Sequence, residues 1–456
     1  FEKENFIYEM LHEKIIMNLS YYSSYGDSQD FPIPEPSGSF NSMCFSTCGQ
    51  ILAAGTEKGR VLVFPTLNQN QISSKACLCP SHSFNVPQSR FDCNRGIFTS
   101  EAISSVQFSP EFQLNPKLLV NSSYSTHLYQ IVHDDTFKWV MPNNPKNGNL
   151  QNFECPQKQS SLSQCKSDLL LSFDDIRLNE RVDSDFYCPS AFFVTASNAA
   201  CIFDMNKKNG SNEATLLSFI PDDDFNSNIC NNDSNLSTMN SDINNKSNHR
   251  IVCSDLNKQF QELFLLGMSD GKISLYDMRQ QPENLTPSFT INSQQFVQKE
   301  HRDNFPDVKS LKFAPNNLLF AARTFGDIMI FDIRKPNETF AHLDVQWFKK
   351  MDSVILTGMG SDKFGLEFIG ITRLVSGAYD EAMVVWDFEN QSTSKVELAS
   401  PNKKKTYNHF INQVNCIKAD PIHRLMAATS CESIYFYTFD NDSDYFIVAQ
   451  EQPNGE

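Results

Sequence analysis

No apolar run in the 456 residues approaches the ~20 residues that a membrane-spanning helix requires, and a hydrophobic content of 40% fits a soluble globular chain with no membrane span. The opening residues FEKENFIYEM lack the basic-then-apolar order of a secretory signal, so no export is expected. The expected location is cytoplasmic, with the nucleus as a second address. Neither Cys44 with Cys48 nor Cys77 with Cys79 has the paired spacing of a tetrahedral zinc site. The thirteen cysteines, spread over segments such as SMCFS and AACIFDM, read as reduced thiols packed as small hydrophobes. A surplus of basic residues is missing too: 38 Lys and Arg stand against 54 Asp and Glu, a net charge of -16, which argues against neutralising a nucleic-acid backbone. Such acidity suits a basic protein partner, or provides only solubility. Catalytic signatures are also lacking. There is no Gly-rich phosphate loop, no His-Glu-x-x-His and no Gly-x-Ser-x-Gly elbow, and the nine histidines are scattered singly. No catalytic residue, cofactor or metal is therefore expected. Asp222 to Asp224 reads as a solvated loop rather than a metal site, and Lys403 to Lys405 as an exposed loop, a nuclear signal or a phosphate contact.

What the chain does have is a repeat. In GKISLYDMR, Gly271 to Arg279, Ile273 and Leu275 alternate with Lys272 and Ser274, the period of a strand with one buried face, and Asp277 follows the aromatic Tyr276. The same column recurs in DIMIFDIR (Phe331, Asp332), AMVVWDFE (Trp386, Asp387), ACIFDMN (Phe203, Asp204) and GRVLVFPT (Phe64), with weaker echoes in THLYQI and SIYFYTF, seven in all. Upstream of each lies a second apolar run, such as ILAAG or LFLLGMSDG. Before most comes a third, such as SMCFSTCG, SSVQFSP, VKSLKFAPNN or VNCIKADPIH. Three strands joined by Gly, Asn, Asp and Pro turns, with a fourth in the variable connection, make the blade of a β-propeller. One such unit cannot bury both faces; stacked radially, each covers the next. The expected fold class is all-β, a seven-bladed WD-repeat β-propeller over residues 37–440, and the match to WD repeats is explicit at Trp386-Asp387.

Blade spacing is irregular and mostly longer than the usual ~40 to 45 residues, which calls for insertions. Residues 136–167 and 206–249 are rich in Asn and Ser, poor in aromatics, and read as disordered loops. Residues 1–36 form an N-terminal extension, with Ile7, Leu11 and Ile15 at helical spacing or simply frayed, and residues 441–456 a tail. Between the first two repeats, HSFNVPQSRFDCNRGIFTSEAISSVQFSP (residues 82–110) places Phe84, Phe91, Ile97 and Phe98 in a segment too apolar to be left in water. A β-hairpin arm over residues 80–103, reaching toward a partner, would cover them. The alternative is an ordinary outer strand packed on its own blade.

That stretch, continued to KLLVNSSYSTHLYQI, resembles the regulatory B subunit (fifty-five-kilodalton class) of protein phosphatase type 2A without a gap, through Phe84, Phe91, Asp92, Glu101, Ile103, Pro110, Leu118, Leu119, Leu128 and Ile131. Further matches are GQILAAGTEKGRVLVF, GKISLYDMR, Asp362 to Phe364, SGAYDEAMVVWD and VELAS, so the likeness runs from Phe40 to Phe439. The resemblance implies a propeller that performs no chemistry. It would dock on a helical-repeat scaffold subunit partly through the arm, with Phe84, Phe91, Asp92 and Glu101 as scaffold-binding residues. It would also hold the phosphatase catalytic subunit over phosphoprotein substrates whose basic residues meet an acidic top face. Ser197, Asn198, Arg323 and Tyr379 are the expected partner-facing rim.

Two segments depart from the family. Its acidic substrate-binding stretch is replaced by TASNAAC, which leaves Ser197 and Asn198 uncharged, and the region before Asp362 reads DSVILTGMGS. The rival readings are a diverged WD-repeat platform of another assembly, such as a ubiquitin-ligase receptor or a trafficking coat, and, third, an enzyme built around the central channel.

Overall fold

A computed structural model describes residues 19–25, 39–66, 82–86, 91–92, 97–98, 101–112, 116–132, 166–173, 178–206, 214–219, 249–257, 262–280, 285–297, 307–324, 327–344, 364–377, 382–388, 392–398, 414–420, 422, 424–430 and 433–439. In chain order they hold a lone strand β1 (Leu19–Tyr25), then blade 1 (β2 Phe40–Phe45, β3 Ile51–Thr56, β4 Arg60–Pro65, β5 His82–Asn85) and a two-stranded hairpin (β6 Phe91–Asp92, β7 Ile97–Phe98). Next come blade 2 (β8 Ile103–Phe108, β9 Lys117–Ser122, β10 Thr126–Val132, β11 Lys166–Phe173), blade 3 (β12 Arg181–Cys188, β13 Ala191–Ala196, β14 Ala199–Asp204, β15 Thr215–Phe219) and blade 4 (β16 Ile251–Leu256, β17 Leu263–Met268, β18 Lys272–Asp277, β19 Phe289–Asn292). Blade 5 (β20 Ser310–Phe313, β21 Leu319–Arg323, β22 Asp327–Asp332, β23 Thr339–Asp344) and blade 6 (β24 Leu366–Ile369, β25 Arg373–Gly377, β26 Ala382–Asp387, β27 Ser392–Glu397) follow, and then three strands of blade 7 (β28 Val414–Asp420, β29 Leu425–Ser430, β30 Ser433–Phe439).

Blades 1 to 6 are four-stranded antiparallel meanders, and blade 7 is a four-stranded antiparallel sheet completed by β1. The seven first strands stand side by side around one axis, with β28 returning against β2, so the ring is closed. The expected seven-bladed all-β propeller is what the chain forms. The repeated column of the sequence is the third strand of every blade. Its alternation does not leave one face open, however: β22 and β26 are buried along almost their whole length because a blade lies on either side. Ser274, on the expected polar face of β18, is 5% exposed and shares a 3.0 Å hydrogen bond with Thr290.

One apolar cluster fills each of the seven interfaces between consecutive blades. At the seam where the ring closes, Phe40, Leu52 and Phe64 of blade 1 pack on Leu425, Ile434 and Phe436 of blade 7. Each such side chain contributes ~1.5–3 kcal/mol by leaving water, which makes radial stacking the main stabilising term. The approach is close enough to require glycine. Gly55, Gly267 and Gly377, each near the end of a second strand, sit against Ile103, Val308 and Val414 at the entry to the next blade, where an added Cβ would overlap those residues.

The aspartate after each aromatic closes the turn leaving the third strand. Carboxylate oxygens of Asp204, Asp277 and Asp332 accept the backbone N–H two residues on, at 2.8, 3.0 and 2.9 Å. Arg279 and Arg334 then fold back onto Asp277 and Asp332, holding both carboxyls below their ordinary range by hydrogen bonding. In blade 6, Asp387 instead pairs with Arg373 at 3.0 Å, while the Trp386 indole N–H donates to Ser376 Oγ at 2.9 Å.

Three boundaries differ from the sequence reading. The expected N-terminal extension contains β1, which pairs with β30 and supplies the fourth strand of blade 7. Without it β30 would be an open edge, and closure by the far end of the chain removes that edge. The expected insertion 206–249 contains β15, the fourth strand of blade 3, with Leu217 buried. The insertion expected over 136–167 gives way to β11 at Lys166. The remaining parts of these segments, the helical pattern of Ile7, Leu11 and Ile15, Asp222 to Asp224, Lys403 to Lys405 and the tail 441–456 lie outside the described residues.

Candidate functional site

Because each blade crosses the disc four times, the entries to the first strands and the turns between second and third strands share one face. Hairpin β6–β7 interrupts the connection from blade 1 to blade 2 at this face, with Phe91 opposite Phe98 and Asp92 opposite Ile97. A hairpin was expected in this connection, and these two residues lie on it. Phe84 does not belong with them. It is on β5, opposite Val61, and its half-buried ring lies 4.5 Å from that of Tyr129, against the cluster between blades 1 and 2. The outer-strand alternative is the correct one for this residue, because the fourth strand must cover the blade edge with alternate side chains.

Glu101 is likewise internal, at 6% exposure. Its Oε2 accepts from Ser122 Oγ at 2.5 Å and from the Tyr124 backbone N–H at 3.3 Å. Ser122 Oγ also lies 2.6 Å from Ser125 Oγ, which lies 2.7 Å from His127 Nε2. A Ser-His contact of this kind resembles an activated nucleophile, but Ser125 is 1% and His127 3% exposed, and a nucleophile sealed from substrate performs no chemistry. The network latches the entry of blade 2 to the turn that carries Tyr124, which is exposed on this face.

Among the expected rim residues, Ser197 and Asn198 form the turn between β13 and β14. Ser197 is half-buried, and its carbonyl accepts the Ile251 N–H at 2.8 Å. Asn198 is buried, with its Oδ1 accepting the Asn179 N–H at 2.9 Å, so its side chain fastens the face instead of reaching from it. Arg323 is not on the rim at all. It is fully buried between blades 5 and 6, its guanidinium 4.1 Å above the Phe364 ring and donating to the Gly377 carbonyl. A planar cation stacks well on an aromatic face, and the interface provides one. Tyr379 lies outside the described residues.

The sequence names the central channel only as the seat of the rival enzyme reading and assigns it no residues. The seven first strands line an open-ended cavity of about 140 Å³, walled by small hydroxyl residues and by charges of both signs. The Lys312 ammonium is 3.5 Å from Asp255 and 3.7 Å from Glu367, and Lys418 is 3.5 Å from the same Glu367 oxygen. Asp255 also accepts the Phe313 backbone N–H at 2.7 Å. Burial would pull the Lys418 pKa down, but Glu367, the thiols of Cys416 and Cys44, and Asp255 outweigh it, and the pKa is raised well above the ordinary lysine value. The signal is present in VKSLK and VNCIK, where a lysine follows a valine by four positions in both repeats. In the sequence both segments count only as the third apolar run of their repeat.

Among the described residues, no helix is long and apolar enough to cross a membrane. A seven-bladed ring of this kind is a WD-repeat-like platform for protein partners. No family model matches the chain, and no curated protein shows significant similarity to it.

Proposed function

We propose that the chain is a non-catalytic regulatory B subunit, of the fifty-five-kilodalton class, of protein phosphatase type 2A. The observation that carries this reading is hairpin β6–β7, set into the connection between blades 1 and 2 where the resemblance puts the scaffold-binding arm. In this reading Phe91 and Asp92 meet the helical-repeat scaffold, while Phe84 and Glu101 hold the base of the arm in place. The platform then raises the local concentration of a phosphoprotein beside the catalytic subunit without altering the chemical step. Neutral Ser197 and Asn198 weaken the substrate side of the reading more than the scaffold side.

Affinity purification of the tagged chain tests it. The scaffold and catalytic subunits should be recovered together, and Phe91→Ala should weaken recovery, since a hot-spot aromatic is worth ~2 kcal/mol or more, about thirtyfold. Recovery of a ubiquitin-ligase adaptor or coat proteins without either phosphatase subunit would replace this reading with that of a diverged platform.

A further inference from the structure

We propose that the central channel binds a small zwitterion of the free amino-acid class, with its carboxylate received by Lys312 and Lys418 and its ammonium by Asp183. The proposal rests on the channel alone and is independent of the phosphatase reading.

The lysines have donors to spare. Each ammonium carries three N–H groups, yet the carboxylate oxygens facing Lys312 and Lys418 stand 3.5–3.7 Å away, at or beyond the limit of a hydrogen bond. Both cations converge on Glu367, whose Oε2 is buried and accepts no hydrogen bond among the described residues. Two further groups at the ring seam share this state. Ser42 on β2 and Asn415 on β28 line the cavity, each 8% exposed, and neither Ser42 Oγ nor Asn415 Oδ1 has a hydrogen-bond partner among the described residues. Each of these atoms is closed to solvent, so they add polarity to the wall and are not themselves ligand contacts. On the opposite wall, Asp183 of β12 accepts the Ser184 N–H at 2.8 Å, and no cation of the described residues lies within ion-pair distance of it.

Charge selects the ligand class. The charged residues lining the cavity are Lys309, Lys312 and Lys418 against Asp183, Asp185 and Asp255, with Glu367 set behind two of the lysines; the cations stand on blades 5 and 7 and the lining carboxylates on blades 3 and 4. A simple anion would meet the field of a chain with net charge -16, and a simple cation would meet the two lysines. A dipolar ligand aligned with the split meets neither penalty.

The test is a thermal-shift screen of the full chain with the common free L-amino acids. Calorimetric titration follows with the best of them, its N-acetyl derivative and its α-amide. At least one amino acid should raise Tm, and each singly charged derivative should bind about tenfold more weakly or worse, as expected for a lost charge-assisted contact. Lys418→Met and Asp183→Asn should each weaken binding to a similar degree while the ligand-free Tm stays within a few degrees. The proposal is overturned if no amino acid shifts Tm, if the derivatives bind as tightly as the parent, or if both variants bind as the wild type does.

Discussion

Around the channel, the blade contacts change chemistry. From blade 4 to blade 7 they run through charge: Asp255, Lys312, Glu367 and Lys418 follow one another on β16, β20, β24 and β28 at 3.5–3.7 Å. From blade 2 to blade 4 they run through hydroxyls, Ser105 to Ser184 at 2.7 Å and Thr195 to Ser254 at 2.9 Å. Hydroxyl pairs are short and indifferent to salt, whereas partly exposed ion pairs are screened by it and individually worth little. Both halves nevertheless hold the same kind of apolar cluster at every interface. Stacking closes the ring, and the polar wall is left free to differ.

If stacking dominates in both halves, wedging any interface must cost more than any polar change. Gly377→Ala and Gly55→Ala are the sharpest wedges. At Gly377 the new Cβ would overlap the backbone carbonyl of Val414, and at Gly55 the side chain of Ile103. Overpacking costs ~1–3 kcal/mol, and more where backbone must move, so Gly377→Ala should give the larger loss and Gly55→Ala the smaller. Denaturant midpoints measure both. A loss at Gly377 smaller than that of the polar variants below would break the view that stacking closes both halves.

How much of this was legible depends on the kind of contact. Third strands were found because aromatic and aspartate residues recur at a fixed place, Tyr276-Asp277 and Phe331-Asp332 among them, and that column records a local requirement, the closing of a turn. Fourth strands were expected in the variable connections but not located: β15 lies in Asn- and Ser-rich surroundings, and β1 pairs with a strand at the other end of the chain, which no local pattern can announce. The hairpin was legible from surplus aromatics, but the same signal misplaced Phe84, whose surplus is absorbed by Tyr129. Arg323 was misplaced because it falls beside strand starts that match the family, and only the tertiary packing of Phe364 provides a buried seat for it.

A smaller effect separates the halves by salt. Glu367→Gln leaves the Lys312 and Lys418 ammoniums facing each other's field with their shared carboxylate gone. The cost should be ~1–3 kcal/mol at low ionic strength and should shrink as salt screens the repulsion. Ser184→Ala removes a neutral bond to Ser105, worth ~0.5–1.5 kcal/mol, with no dependence on salt. Parallel salt responses in thermal melts of the two variants would erase the distinction between the charged and hydroxyl walls.

The smallest effect is at low pH, in the turns of blades 4 and 5. In the folded chain the Asp277 and Asp332 carboxyls are held below the ordinary aspartate range, first through hydrogen bonds from Arg279 and Arg334. A depressed carboxyl contributes stability that is present above its unfolded pKa and is lost as pH falls through the folded value, so the window lies from about pH 4 downward. Both arginines are largely exposed, at 68% and 64%, and solvent screens the pairs. In the double variant Asp277→Asn, Asp332→Asn the amide oxygen still accepts the turn's backbone N–H but the ion pairs are gone. Its Tm at neutral pH should fall by only about a degree, and the wild type's extra loss of stability below about pH 4 should be reduced. Arg279→Gln with Arg334→Gln should flatten the acid limb in the same way. If the wild-type curve and both double variants keep the same slope there, the arginines only decorate the turns, and the charge that distinguishes this half of the ring is confined to the channel.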